Sequence, residues 1–390
     1  MDVMYDLVIV GGGPAGLAAA IYAGRSQRKT LLLEKGNYGG RVNDTYEIKN
    51  YPGTIVDSGQ HLMEQFRAHA ASHPTVELKR TTVTGVRKEG DTFIVETKRR
   101  GNFTARSVIL DFGTRPRELN IKGEKEFTGH GVAYCATCDG EFFQGKEIYV
   151  LGAGDQAVEE ADYLTRFASK VTIIVLHEEG HLDCNEVAAE QAYRNPKIHF
   201  VWSCTVEEIR GSDHVESLVL KNVETGKEEE VKADGLFFFV GMVPQTELVK
   251  DLVICDKAGY IKVNEKMETS VPGLYAAGDC TQTFLRQVVT SAADGAVAAV
   301  ASERYVKELE QIQGILSPES GKVAFLFYNP YSSEEIEKTT GLEQSLGGEW
   351  KIYRQDITRQ SLLYYSLDLK QTVAGAFYDN GTLVFVKQNF

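Results

Sequence analysis

The sequence lacks both a cysteine framework and a long apolar run. Six cysteines among 390 residues are too few for a disulfide scaffold, so we expect the chain to work in a reducing compartment, the cytosol. No apolar run approaches the roughly 18 residues of a membrane-spanning helix. The acidic start, residues 1–6, gives no sign of a signal peptide. These absences predict a cytoplasmic protein without a membrane partner.

Basic residues are also in the minority. Lys and Arg number 42 against 55 Asp and Glu, which gives a formal net charge of −13. This excess of negative charge argues against a nucleic-acid surface or an anionic membrane as partner. The 43% hydrophobic and 25% charged fractions are those of an ordinary globular protein. A chain of this length exceeds one hydrophobic core and predicts two or three domains.

Two of the six cysteines form a motif, because residues 135–140 read CATCDG. The two-residue spacing of Cys135 and Cys138 suits a redox-active pair. Such a pair forms a disulfide when oxidised, and one of its thiols can have a lowered pKa when reduced. The same spacing fits half of a zinc site, or two small core residues. Zinc would need a second Cys or His pair, and the remaining cysteines are single. We therefore favour a redox pair.

A glycine-rich motif follows the first predicted strand. The strand at residues 6–10 leads into residues 11–16, which read GGGPAG, and a helix follows. Such glycines let the backbone approach a pyrophosphate, which then lies at the helix N-terminus. The next strand ends at Glu34, an acid that can accept hydrogen bonds from ribose hydroxyls. The segment predicts a dinucleotide site.

A second motif of this kind lies in the middle of the chain. Residues 147–151 read as a strand, residues 152–157 form the glycine loop GAGDQA, a helix follows, and residues 171–176 read as the next strand. The order of strand, loop, helix and strand predicts a second dinucleotide fold.

Taken together, these motifs resemble those of the low-molecular-weight thioredoxin reductases, a family of flavin-dependent disulfide reductases. The resemblance also rests on NYPG at residues 50–53, YAAGDC at 275–280 and RQVVTSAADG at 286–295, all in the family order. It implies an α/β fold with two Rossmann-like, three-layer ββα dinucleotide-binding domains, the second inserted in the first. The FAD-binding domain is then expected at residues 1–113 and 243–314, the nicotinamide-type domain with the CxxC pair at 114–242, and a homodimer as the assembly.

The resemblance also implies roles for individual residues. Cys138 would lie against the flavin, Cys135 would attack a thioredoxin-like protein, and Asp139 would exchange a proton with the departing thiolate. Asp139 before a glycine, like Asp279 after one, is also an ordinary turn residue. FAD would be bound by Gly11, Gly13, Pro14, Ala15, Gly16, Glu34, Lys35, Gly40, Arg41, Asn50, Gly278, Asp279, Arg286, Gln287 and Val288. The nicotinamide nucleotide would be bound by Gly152, Gly154, Asp155 and Ala157.

The chain departs from the family in two places. Where the family carries His-Arg-Arg, this chain has His177, Glu178 and Glu179, and two carboxylates repel the 2′-phosphate of NADPH. NADH as donor, reduced ferredoxin as donor, and NADPH held more weakly all remain open. The second departure is residues 110–113, LDFG, at a domain crossing. The resemblance implies that the middle domain rotates, so that the cysteine pair faces the flavin and the substrate in turn. The departure at residues 110–113 either alters this rotation or serves local packing.

The C-terminal residues 315–390 extend beyond the family pattern. They follow a small-residue helix predicted at 291–301 and a charged helix predicted at 303–313. Their predicted order, β-α-β-α-β-β, resembles a thioredoxin fold in which Ser332 and Glu335 occupy the two cysteine positions. We therefore expect a degenerate thioredoxin-like domain without cysteines that docks, dimerises or shields. An unrelated small α+β domain is the alternative.

The sequence thus predicts an FAD-dependent thioredoxin-disulfide reductase with NAD(P)H as the electron donor. The first alternative is the same reductase fed by reduced ferredoxin. A second is the flavoprotein of a peroxide-reducing system, although such proteins carry an active redox module that is not recognisable here. A third is a flavoprotein that only docks partners, against which the intact set Cys135, Cys138 and Asp139 argues.

Overall fold

The computed structural model describes residues 3–45, 48, 50–55, 57–359, 362–367 and 369–388. The first part of the chain contains, in order, β1 Met4–Val10, α1 Pro14–Arg25, β2 Thr30–Glu34, α2 Gly59–Ala71, β3 Val76–Arg80, β4 Val83–Glu89, β5 Thr92–Thr97, β6 Asn102–Leu110 and β7 Thr114–Pro116.

The middle part contains β8 Val132–Ala133, α3 Ala136–Asp139, β9 Glu147–Leu151, α4 Asp155–Leu164, β10 Lys170–Ile174, α5 Glu186–Arg194, β11 Ile198–Val201, β12 Cys204–Gly211, β13 Val215–Asn222, β14 Glu228–Lys232, β15 Gly235–Phe238 and β16 Met242–Pro244. The last part contains β17 Leu274–Ala276, α6 Val288–Ile315, β18 Lys322–Tyr328, α7 Ser333–Leu346, β19 Lys351–Asp356, α8 Leu362–Ser366, β20 Ala374–Asp379 and β21 Thr382–Gln388.

The strands around the first glycine loop form one seven-stranded sheet. Its parallel strands have the order β3-β2-β1-β6, and β17 and β5 share the other edge of β6. Side chains of β1 alternate between two cores: Ile9 packs towards α1 and α6, whereas Val8 packs towards the β4–β5 hairpin. Because parallel strands end at the same edge, the loops after β1, β2, β6 and β17 meet there.

The middle part of the chain has three layers. Its central sheet is all parallel, with the order β11-β10-β9-β15-β8. Helices α4 and α5 cover one face through residues such as Val158 and Ala188. The antiparallel sheet β12-β13-β14 covers the other through residues such as Val206 and Leu218. This is the ββα arrangement that the sequence predicted, and the α/β fold class is confirmed.

The two crossings between these parts of the chain lie side by side. Strand β7 leads into the middle part, β16 leads out of it, and the two pair antiparallel with Thr114 opposite Pro244. A two-stranded ribbon of this kind can bend as one unit. The boundaries predicted at residues 114 and 242 fall within it.

Helix α6 is a single element of 28 residues. The prediction of two helices was wrong, because the change from small to charged residues marks a change of neighbours and not a break. Ala298 and Ala299 belong to the core shared with α1, whereas Ile312 and Ile315 pack against the C-terminal sheet. No helix within the described ranges is long and apolar enough to span a membrane.

The C-terminal residues form a four-stranded sheet of order β19-β18-β20-β21, in which only β18 and β19 are parallel. Helix α7 packs on one face through Leu342, and α8 packs on the other through Leu363. Asn380 and Gly381 have left-handed backbone conformations in the hairpin between β20 and β21. The order β-α-β-α-β-β is the one predicted for a thioredoxin-like domain.

Candidate active site

The CxxC motif forms a disulfide at the start of a short helix. Cys135 and Cys138 are joined, with their Cα atoms 5.3 Å apart. Cys135 is the N-cap of α3, and its Sγ accepts a hydrogen bond from the Cys138 amide at 3.2 Å. The other four cysteines are unpaired. Within the described ranges no group of three or more His, Cys, Asp or Glu residues is arranged to hold a metal ion.

The redox loop, residues 135–140, contacts the end of the first nucleotide site. The side-chain amide of Gln287 donates to Thr137 Oγ1, between the two cysteines, at 3.2 Å. Asn50 in turn donates to Gln287 Oε1 at 3.1 Å. Gln287 is held in place as the N-cap of α6, where it forms a capping box with Thr290. The structure therefore brings the disulfide next to two of the residues predicted to line the flavin.

Asp139 follows the disulfide directly and is half-buried. Burial raises the pKa of its carboxyl to about 6, and the positive charge of Arg41 partly opposes the shift. Gly140 after it has a helical backbone conformation, and a Cβ there would press against Leu164 and Phe167. This glycine serves close packing, so the Asp-Gly pair is not a left-handed turn. A carboxyl with this pKa can hold a proton close to neutral pH.

The first glycine loop joins β1 to α1. Gly11 has a φ of 113°, a conformation that favours glycine. Gly13 is the N-cap of α1 and Pro14 opens the helix, while Ala15 and Gly16 are buried residues of its first turn. Glu34 stands at the same edge of the sheet. Its carboxylate accepts hydrogen bonds from the amides of Gly12 at 2.7 Å and Gly36 at 2.6 Å. The residues predicted to form a pyrophosphate and ribose site therefore lie together at this edge of the sheet.

The other predicted flavin residues surround the same edge. Gly40 opens a short 3₁₀ helix, Gly40–Asp44, and Gly278 packs beside Ala15. Asp279 is largely buried, which raises the pKa of its carboxyl, and Arg41 and Arg286 oppose that shift. Val288 is the first residue of α6. Lys35 points elsewhere, because its Nζ donates to Gln245 Oε1 at 3.0 Å on the exposed surface.

The second glycine loop joins β9 to α4. Gly152 has a φ of 141°, and a Cβ there would press against Ala157 and the backbone of Phe239. Gly154 is the N-cap of α4, with open space around its Cα. Asp155 points away from the loop. Its carboxylate accepts hydrogen bonds from the amide and side chain of Asn185, at 2.7 and 2.8 Å.

The segment after β10 is acidic. Glu178 and Glu179 are exposed and lie beyond the C-terminal end of this strand, where the ribose of a dinucleotide sits in Rossmann folds. His177 contacts Asp183, with Nε2 and Oδ2 2.8 Å apart, and the Asp183 amide donates to Ala153 O in the glycine loop. Acidic side chains therefore flank the second loop on the ribose side.

The structure also reveals contacts that sequence reasoning missed. Thr137 and Gln287 join the redox loop to α6, and no motif signals a contact over 150 positions. Asp111, at the domain crossing, has its carboxylate beneath the first glycine loop, where it accepts the Gly16 amide at 2.8 Å. The departure of residues 110–113 from the family pattern was the only available signal.

In the C-terminal domain, the two positions predicted to correspond to the cysteines of a thioredoxin form a helix cap. Ser332 is the N-cap of α7 and accepts the Glu335 amide at 3.3 Å. The Glu335 carboxylate accepts the Asn329 amide at 2.8 Å. The pair satisfies backbone donors at the helix start, so its contribution is to the stability of α7.

Comparison with known proteins agrees with this geometry. Residues 5–295 match the family model described as pyridine nucleotide-disulphide oxidoreductase. The chain is 42% identical over 314 residues to the thioredoxin reductase of Peptoclostridium acidaminophilum, which covers 79% of this chain and 98% of that protein. It is 40% identical over 313 residues to the thioredoxin reductase of Bacillus subtilis, with 79% and 96% covered.

Solved structures give the same result. The thioredoxin reductase from Streptococcus pyogenes is 39% identical and superposes with a TM-score of 0.73, covering 79% of this chain and 99% of that one. The thioredoxin reductase from Giardia duodenalis is 33% identical, with a TM-score of 0.71 and coverage of 78% and 99%. These matches cover nearly all of each relative. The family model ends at residue 295, so the C-terminal sheet, which begins with β18, lies beyond it.

Proposed function

Because the chain belongs to the low-molecular-weight thioredoxin reductase family, we propose that its Cys135–Cys138 pair reduces the disulfide of a thioredoxin-like protein. The observation that carries the proposal is the contact of the redox loop with Gln287, which in turn accepts a hydrogen bond from Asn50, at the end of the first nucleotide site. A disulfide in this position can take electrons from a cofactor bound there.

The residues of the first loop suit FAD. Gly13 has no side chain to compete for the amides at the start of α1, and the partial positive charge of that end suits a pyrophosphate. Glu34 can accept hydrogen bonds from ribose hydroxyls, and Arg41, Asp279 and Gln287 would line the flavin side. FAD, when bound, takes electrons from the donor and supplies them in pairs to the disulfide.

The chain's own residues then perform thiol–disulfide exchange. Two electrons and two protons convert the Cys135–Cys138 disulfide to a dithiol. Cys135 gives its thiol proton to Asp139, and the resulting thiolate attacks one sulfur of the substrate disulfide. The other substrate sulfur leaves as a thiolate that takes this proton from Asp139. Cys138 then loses its thiol proton and attacks the mixed disulfide. The departing substrate sulfur takes up a proton, so that the substrate is released as a dithiol and the Cys135–Cys138 bond is restored.

As electron donor we propose a reduced nicotinamide nucleotide, with NADH preferred over NADPH. The second glycine loop supports this choice, since Gly154 has open space around it and leaves room for a pyrophosphate at the start of α4. Glu178 and Glu179 repel a 2′-phosphate, whereas a carboxylate can accept from a ribose 2′-hydroxyl. The same two carboxylates favour the second candidate, reduced ferredoxin, if they exclude nicotinamide nucleotides altogether.

An anaerobic titration tests both the function and the donor. NADH, NADPH and a reduced ferredoxin are added in turn while the visible flavin absorbance is followed, and a thioredoxin disulfide is then supplied. We expect bleaching by NADH and re-oxidation by thioredoxin. Bleaching by ferredoxin alone would contradict the nicotinamide proposal. Cys138→Ser should bleach but leave thioredoxin oxidised, and thioredoxin reduction by that variant would overturn the role of the pair.

We further propose a cytosolic homodimer. Tyr22 of α1 and Val297 and Val300 of α6 are large apolar side chains on the surface that line one groove. A second copy of the chain would cover them. Light scattering should give twice the chain mass, and Val300→Glu should yield the monomer. A wild-type monomer would contradict this assembly.

A further inference from the structure

Asp111 lies beneath the loop that is proposed to hold the FAD pyrophosphate. It follows the last residue of β6, and its own amide donates to the carbonyl of Val10 at 2.7 Å. This backbone bond fixes the side chain directly behind the first glycine loop. Its Oδ2 accepts the Gly16 amide at 2.8 Å and lies 2.9 Å from the position that a Cβ on Gly13 would take. Only 8% of Asp111 is exposed.

Ionisable side chains and backbone amides from β2, the start of α1 and the segment after β17 face Asp111. Glu34 at the end of β2 and Asp279 after β17 are carboxyls, and Cys280 is a buried thiol. The start of α1 contributes the amides of Gly13 and Gly16. Burial raises the pKa of Asp111 well above its ordinary value, and the two carboxylates add to the shift, while the two amides oppose it.

A dinucleotide brings two further negative charges to the same loop. The pyrophosphate of a bound FAD would lie on the glycine loop and the N-terminus of α1, and the Asp111 carboxyl accepts the Gly16 amide of the same segment from beneath. An ionised carboxylate there opposes the phosphates at short range in a water-poor site. A protonated carboxyl carries no charge and offers an O–H donor.

We propose that Asp111 couples flavin binding to a proton, so that FAD is retained by the form of the enzyme in which Asp111 is protonated. The inference rests on the proposed FAD site. Binding of the phosphates raises the proton affinity of Asp111 further, so that binding takes up a proton wherever the free protein has Asp111 ionised. Flavin affinity is then constant at low pH. It falls about tenfold per pH unit once Asp111 of the free protein ionises.

The test is the dissociation constant of FAD for the full-length protein stripped of flavin, measured by flavin fluorescence from mildly acidic to alkaline pH. The affinity of the wild type for FAD should fall with rising pH. Asp111→Asn should bind FAD with little dependence on pH, and more tightly than the wild type at alkaline pH. Glu308→Gln is the matched control. Glu308 is a half-buried carboxyl whose pKa burial also raises, but it accepts the Leu362 amide at the other end of α6. It should keep the wild-type slope.

A second measurement needs no variant. Calorimetry of FAD binding in buffers of different ionisation enthalpy counts the protons taken up, and we expect about one at alkaline pH. No uptake, or the same pH slope in Asp111→Asn as in the wild type, would overturn the inference and leave the proposed function intact. Failure to bind FAD at any pH would overturn the proposed function and this inference with it.

Discussion

Asp139 and Glu178 carry the same functional group in opposite surroundings. Asp139 is half-buried beside the redox disulfide, and burial raises its pKa to about 6. Glu178 is exposed beyond the end of β10. A carboxyl of the first kind can transfer protons close to neutral pH, whereas one of the second kind acts as a fixed negative charge. The two carboxyls therefore lead to different predictions.

Replacing Asp139 with Asn should slow the reduction of thioredoxin by the prereduced enzyme about 100-fold, because a positioned proton donor typically contributes this much. The wild-type rate should fall as the pH rises through about 6, since the raised pKa means that Asp139 loses its proton there. The rate of the Asp139→Asn variant should show no such change with pH, because the Asn side chain does not titrate. Stopped-flow measurements across this range test the prediction, with flavin reduction by the donor as the unaffected control. A variant that keeps the wild-type pH step would contradict the assignment.

Replacing Glu178 and Glu179 with Arg should reverse the nucleotide preference. Two guanidinium groups can pair with the 2′-phosphate, so kcat/KM for NADPH relative to NADH should rise at least about tenfold. The matched control replaces Glu228 and Glu229, two adjacent exposed residues of β14, with Arg. It makes the same change of charge away from the loop. An equal rise in the control would mean that net charge, and not the loop, sets the preference.

At the scale of elements, α6 connects the redox site to the rest of the molecule. Gln287 is the N-cap of α6 and contacts the redox loop. The middle of the helix packs on α1 through small residues. A Cβ on Gly295 would overlap the carbonyl oxygen of Ala15 and its neighbouring backbone atoms. The close approach of two helices therefore fixes the position of the first glycine loop, which opens α1.

Gly295→Ala should destabilise the protein by about 1–3 kcal/mol, because backbone atoms of α1 cannot yield as a flexible side chain can. Since α1 begins at the flavin loop, the flavin content after purification should fall as well. Gly314→Ala is the control in the same helix, with open space around it, and should be neutral or stabilising by up to about 1 kcal/mol. Thermal unfolding and flavin absorbance measure both. Equal stability of the two variants would refute the close-packing argument.

Local chemistry explains which elements the sequence could predict. The glycine loops, the CxxC pair and the Asn380–Gly381 hairpin are set by backbone requirements within a few residues, and the structure has each of them. The continuity of α6 was missed because its two halves face different neighbours. The position of Asp111 beneath the loop depends on strand order, since β6 pairs with β1, and no local pattern encodes that pairing.

At the scale of the whole molecule, the redox loop rests on the flavin side and the two crossings form one ribbon. Thr137 between the cysteines accepts a hydrogen bond from Gln287, so the segment between the two cysteines is in contact with the start of α6. The ribbon of β7 and β16 is where the middle part of the chain can turn relative to the rest. This geometry agrees with the rotation that the family resemblance implies.

The C-terminal domain lies at the opposite end of α6 from the redox loop. A helix of 28 residues is about 40 Å long, and the domain packs on its last turns through Ile312 and Ile315. A chain ending at Gln311 removes the domain together with these two apolar residues and keeps Glu310, which pairs with Arg28. We expect this chain to keep its flavin and to reduce thioredoxin at the full-length rate.

Steady-state assays of the shortened chain with thioredoxin and with a small aromatic disulfide separate the roles left for the domain. If the shortened chain reduces each substrate as fast as the full-length chain does, dimerisation and shielding remain as the roles of the domain, because neither needs contact with the substrate. Loss of thioredoxin reduction with the small disulfide unaffected would contradict our expectation and make the domain a docking surface.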